Sequence, residues 1–205
     1  MHRFADPADV VVGWRSWKLS KEGLSSWAVA YTWRPGPNRA ACCRPTSPLL
    51  APTPCASPPG PGCRCGLWAL WELASCVDRI RRAADSWLGA IPVIGLVAGW
   101  GEVAIHGDEG FRAERASILL LIEEPVWAEV FDPLWSGWRR LGRVGRRLSR
   151  PGLDRRRRLL RQVALRYGVP VLRLAQAARG GVLGEFGIPP RQLREIESLV
   201  GDPGA

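Results

Sequence analysis

Histidine is almost missing from this chain: there are two among 205 residues, His2 and His106. A site built on several imidazoles is therefore excluded, and His106 must find its partners among other residue types. There is no Gly-x-Ser-x-Gly elbow, no phosphate-cradling glycine loop closing on lysine, and no His-x-Glu followed by Cys-x-x-Cys. The signatures of the common hydrolases, nucleotide phosphate sites and zinc deaminases are thus absent, and an enzyme is the lesser expectation. A membrane-length apolar run is lacking too. The most apolar stretch, Ile91 to Ile105, carries Glu102 and falls short of the ~20 residues a span needs. Met1-His2-Arg3-Phe4-Ala5-Asp6 leads into no apolar segment with a cleavage site, so no secretory signal is read and a cytoplasmic location is expected. In a reducing compartment, six cysteines are metal ligands or core residues rather than disulfides.

Arginine is abundant, and it is unevenly placed. Residues 1–135 hold 13 Lys/Arg against 14 Asp/Glu, whereas residues 136–205 hold 16 Arg against 5 acids, so the whole formal excess of +10 sits in the last third. Such an asymmetry is the footprint of a segment that meets a polyanion, either nucleic acid or an anionic membrane surface. A solvated, solubilising face is the plain alternative.

The cysteines surround a proline-rich loop. Between Arg44 and Gly62 stand Pro45, Pro48, Pro52, Pro54, Pro58, Pro59 and Pro61, which forbid regular structure. Cys42 or Cys43 lies before this loop, Cys55 within it, and Cys63 and Cys65 after it. Four thiolates so spaced predict a zinc ion that closes the loop at both ends, with Gly66 freeing the backbone for the tight Cys-Arg-Cys turn. Either member of the adjacent pair Cys42-Cys43 can be the ligand, because neighbouring side chains point apart. Free buried thiols and redox chemistry are the alternatives. Zinc held by four sulfurs has no open coordination position, so it argues for architecture and not catalysis.

The remaining pattern predicts an α+β fold in three parts: a β-rich, barrel-like, zinc-clasped domain at 1–124 with one long helix, a Trp/Arg-rich connecting segment at 125–152, and a basic all-α segment at 153–205. Val10 to Leu19 reads as a strand, Ser20 to Gly23 as a turn, and Leu24 to Trp33 as the returning strand. Leu67 to Trp87 has helical spacing, with Cys76 inside it as a small buried residue. Val93 to Ile105, interrupted by glycines, reads as one bent strand or two short ones, and Phe111 to Ile122 as its hairpin partner. Helices follow over Trp138–Arg150, from Asp154 to Tyr167, from Val169-Pro170 to about Ala178, and over Arg191–Val200.

Trp100-Gly101-Glu102-Val103-Ala104-Ile105-His106 continues through Gly110, Arg112, Ala113, Glu114 and Ala116. Together with Cys63, Cys65, Gly66, Trp68 and Ala69, this pattern resembles a group of small, largely uncharacterised actinobacterial and phage proteins. The likeness spans roughly residues 12 to 122, with one extra residue between His106 and Gly110. It implies an intact domain and no particular activity. His106, Arg112 and Glu114 are candidates for organising the hairpin or lining a ligand pocket.

In the basic tail, Ala164, Gly168 and Leu174 have the spacing of a helix-turn-helix, where alanine permits close helix contact and glycine makes the turn. The residues expected to contact nucleic acid are Arg139, Arg140, Arg143, Arg146, Arg147, Arg155, Arg156, Arg157, Arg158, Arg161 and Arg173. The leading expectation is a non-enzymatic, zinc-containing nucleic-acid-binding protein, DNA or RNA, whose C-terminal arginines meet phosphates. One alternative is a protein-interaction or assembly role, in a phage or mobile-element setting, through exposed tryptophans on the β-rich part. A further alternative is membrane-surface association through Trp138 to Leu148.

Overall fold

The computed structural model describes residues 3–4, 10–42, 55–60, 63–84, 91–125 and 150–200. Cys43, most of the proline loop and the Trp/Arg-rich segment with Arg139, Arg140, Arg143, Arg146 and Arg147 lie outside the described residues.

The described residues hold eight strands: β1 (Arg3–Phe4), β2 (Val11–Ser20), β3 (Gly23–Ser25), β4 (Asn38–Arg39), β5 (Leu67–Leu70), β6 (Ile91–His106), β7 (Gly110–Ile122) and β8 (Val171–Leu172). They also hold five helices: α1 (Leu73–Ala84), α2 (Arg150–Tyr167), α3 (Leu174–Arg179), α4 (Val182–Glu185) and α5 (Pro190–Val200).

Four strands form a closed ring. β6 pairs with β2 over Ile91–Gly99 and with β7 over Gly95–His106, while β5 bridges β2 at Trp14 and β7 at Gly110–Ala113. The barrel-like expectation is therefore met, and the long apolar stretch is a single strand. Its pairing with β7 shifts register twice, once across Trp100 to Val103, where Gly101 takes φ +78°. That shift keeps apolar residues inward along a strand long enough to serve two neighbours. Small residues make the ring possible. A Cβ at Gly13 would lie 2.9 Å from the Phe111 ring and one at Gly99 would lie 2.5 Å from it, so Phe111 occupies the space two side chains would need.

Strand alternation separates two cores. Trp17, Leu24, Trp33, Val97, Phe111 and Leu121 form one, covered by Leu160, Val163, Ala164 and Tyr167 of α2. Trp14, Leu70, Ile94, Leu96 and Leu120 form the other, covered by α1 and by Leu174, Ala177, Leu183, Ile188 and Ile196 from α3 to α5. Residues 160–196 thus complete both cores of the β-rich part, and a boundary at 124 does not divide the cores.

Several local expectations are corrected. Leu67–Leu70 is strand and not helix, because its backbone groups close the ring between β2 and β7; the helix starts at Leu73 and buries Leu73, Cys76, Val77 and Ile80. The return of the first hairpin is short. β3 ends at Ser25, and a tight loop follows in which Ser26 donates to the Tyr31 carbonyl and Ser25 bridges Thr32. α2 begins at Arg150, four residues ahead of the expected start, since proline in a first helical turn gives up no hydrogen bond. Val171-Leu172 is a strand that pairs in parallel with Leu121-Ile122. A strand therefore separates α2 from α3, and the helix-turn-helix reading falls. Ala164 is buried against the barrel, and the backbone N–H groups of Gly168 and Val169 cap α2 on the carbonyls of Leu165 and Ala164.

Candidate metal centre and arginine face

Three loop segments and the lead into β5 bring the cysteines together. The ligand atoms of Cys42, Cys55, Cys63 and Cys65 all lie within 4.8 Å of one another. Cys42 Sγ is 3.7 Å from Cys63 Sγ, and Cys55 Sγ is 3.0 Å from Cys65 Sγ. A tetrahedral zinc with bonds of ~2.3 Å needs sulfurs about 3.8 Å apart, so the quartet fits a four-sulfur centre once its shortest pair opens and its longest separations close. Of the adjacent pair, Cys42 belongs to the cluster, and Cys43 lies outside the described residues. An all-sulfur set selects soft or borderline metals and excludes calcium and magnesium, which require oxygen. Burial, followed by the neighbouring Cys55 thiol, holds the Cys65 thiol above its ordinary value. Thiolates so close together are stable only with a cation between them.

Arg112 is the second layer of this centre. It is 2 % exposed and donates from Nη1 to the carbonyl oxygens of Cys63 and Cys65, the latter at 2.9 Å. Its Nε donates to His106 Nε2 at 2.6 Å. Gly66 takes φ +119° directly after the cysteine turn, and a Cβ there would meet the Arg112 Cβ at 2.9 Å. Trp68 lies across this group, with its ring stacked on His106 at 4.6 Å between centroids and the Arg112 guanidinium 5.4 Å from its centre. Burial draws the Arg112 guanidinium below its ordinary value, while the Cys65 and Cys63 sulfurs act in the opposite sense. A divalent metal on four thiolates would carry a net charge of about −2, which this buried cation would partly compensate.

The expected ligand pocket of His106, Arg112 and Glu114 is thus a framework. Glu114 bonds to Arg39 at 3.3 Å and accepts from the Glu102 N–H, while His106 and Arg112 face the cysteine turn. Reading from residue types placed Arg112 near a functional site but missed its role. The available signal was that Trp68 and Arg112 both belong to the recurring pattern, and they prove to be paired in register across β5 and β7. Cys76 stands apart in the core, where burial pushes its thiol up to about 12, as expected of a packing residue.

The described arginines of the tail separate into two groups. Arg156 is removed from the nucleic-acid set. It is 1 % exposed and donates to the backbone carbonyls of Glu123, Glu124 and Pro92, so its charge is used to hold the end of β7 against β6 and α2. Burial lowers its guanidinium to about 10, and it stays charged at neutral pH. Arg155, Arg157, Arg158, Arg161 and Arg166 are exposed along α2, with exposed Arg173 beside them. Arg157, Arg161 and Arg173 converge on one carboxylate, Glu123, at 3.3 to 3.8 Å. One negative charge among three leaves the face strongly positive.

None of the described tryptophans is fully exposed. Trp14, Trp17 and Trp33 are buried, and Trp27, Trp68, Trp71 and Trp100 are half-buried. No helix among the described residues is long and apolar enough to cross a membrane. No protein-family model, curated protein or solved structure matches this chain. What it is built to do has to be read from the four-cysteine centre and the arginine face themselves.

Proposed function

We propose that this is a non-enzymatic nucleic-acid-binding protein in which a structural zinc ion on Cys42, Cys55, Cys63 and Cys65 pins the proline loop, and the exposed face of α2 meets phosphates. The observation that carries the reading is the row of exposed arginines, Arg155, Arg157, Arg158, Arg161 and Arg166, on a helix whose other face is rigidly docked on the barrel. Guanidinium groups match phosphate geometry, and a helix held by its apolar side keeps them in fixed positions. The saturated sulfur set supports a structural role for the metal.

Affinity for a DNA or RNA oligonucleotide should fall linearly on a log-log plot against salt, by about 0.9 per phosphate contact for a duplex. The double variant Arg161→Ala/Arg166→Ala should lower that slope by about 2, as measured by fluorescence anisotropy across a salt series. Binding indifferent to ionic strength, or a variant with an unchanged slope, would overturn the proposal.

A further inference from the structure

Beside the arginine face lies a half-open cavity of about 460 Å³ between β2, the start of β6 and α2. Its floor is aliphatic, made by Leu19, Ile91 and Leu159. Lys21, Arg155 and Arg158 stand on its rim, and Glu22 offsets one of these three cations. Gln162 completes the wall.

This combination narrows the class of occupant. The volume lies within the range of about 300–1,000 Å³ typical of small-ligand sites. An inorganic anion alone would leave the aliphatic floor wet, and an apolar ligand alone would leave the rim cations unmatched. The occupant therefore combines a flat or compact apolar body with a negative charge at one end. The Gln162 amide offers a donor and an acceptor side by side, which an acyl chain cannot use and the edge of a nucleobase can. Arg155 and Arg158 present guanidinium groups able both to stack on a base and to bind its phosphate.

We infer that the cavity seats one unpaired base of a single strand, with the base against Leu19, Ile91 and Leu159 and the flanking phosphates on Arg155, Arg158 and Lys21. The inference rests on the nucleic-acid reading above and deepens it. A duplex keeps its bases stacked inside and reaches only the arginines, so the protein prefers single strands.

The test uses the full chain with its metal and a fluorescent oligothymidylate of roughly twelve nucleotides, within the site size of single-strand-binding domains, against a hairpin duplex at matched salt. The single strand should bind about tenfold more tightly, the gain of burying one base on the apolar floor and stacking it on a guanidinium. Leu159→Gln makes the floor polar without adding a stacking surface and should bring single-strand affinity down toward the duplex value, while Gln162→Ala should cost about threefold on the single strand by loss of one hydrogen bond. Circular dichroism checks that Leu159→Gln has kept its fold; Gln162, being exposed, decides the matter if it has not. Equal, steeply salt-dependent affinity for both nucleic acids would overturn the base seat and leave the phosphate reading standing. Absence of salt-sensitive binding to either, or binding only to anionic lipid vesicles, would overturn both.

Discussion

Arg112 shows how much one side chain determines here. Its guanidinium joins the carbonyls of Cys63 and Cys65 to His106, so it shapes the turn that presents two of the four sulfurs and supplies positive charge beside them. Outer-layer groups of this kind change metal affinity by about 10- to 100-fold when removed. Arg112→Met should therefore weaken zinc binding by that factor in competition with a chromophoric chelator, with the unaltered chain holding one ion. Arg112→Lys keeps the charge but lacks the planar fork that reaches three acceptors, and should fall in between. Equal affinity in all three proteins would remove Arg112 from the metal centre.

At the scale of elements, α2 is the joint between barrel and tail. Its last residue, Tyr167, accepts a hydrogen bond from the Leu24 N–H at 3.2 Å and donates to the Trp33 carbonyl at 2.5 Å. Both contacts are buried, and they hold the hairpin loop that β3 is too short to hold by pairing alone. Tyr167→Phe preserves the ring and strands two buried backbone groups, so urea denaturation should show a loss of about 1–3 kcal/mol. A loss under a few tenths would mean that the loop is fixed by Trp17 and Trp33 packing alone, which meet edge to face at 5.5 Å. The other end of α2 shows why its arginines differ: residues along one helix take opposite fates according to which side faces the barrel. Arg156 points inward to carbonyls, while Arg155, Arg157 and Arg158 around it face water.

For the whole molecule, the consequence of two cores sharing one ring is that the helices after residue 150 are not dispensable. A fragment ending at Glu124 would lose Leu160, Val163 and Ala164 from one core and Leu174, Ala177, Leu183, Ile188 and Ile196 from the other. Each fully buried leucine, valine or isoleucine contributes about 1.5–3 kcal/mol, and the loss of all six is comparable to the whole 5–15 kcal/mol stability of a typical domain. Such a fragment, even with zinc added, should show no cooperative thermal transition by near-ultraviolet circular dichroism. A sharp transition would establish the β-rich part as a separate domain.

The residue types and their order were enough for a four-sulfur cluster, an apolar hairpin over 93–122, a helix ending at Tyr167-Gly168, and arginine concentrated after residue 136. These rest on local facts: thiol chemistry, side-chain period, capping and charge count. They were not enough to distinguish strand from helix at Leu67–Leu70, to see that Val171-Leu172 would pair with β7, or to tell buried Arg156 from exposed Arg155. Each of those is decided by a partner far along the chain. A four-residue segment accepts either conformation until a strand edge offers its hydrogen bonds, and an arginine is a surface residue until three carbonyls enclose it.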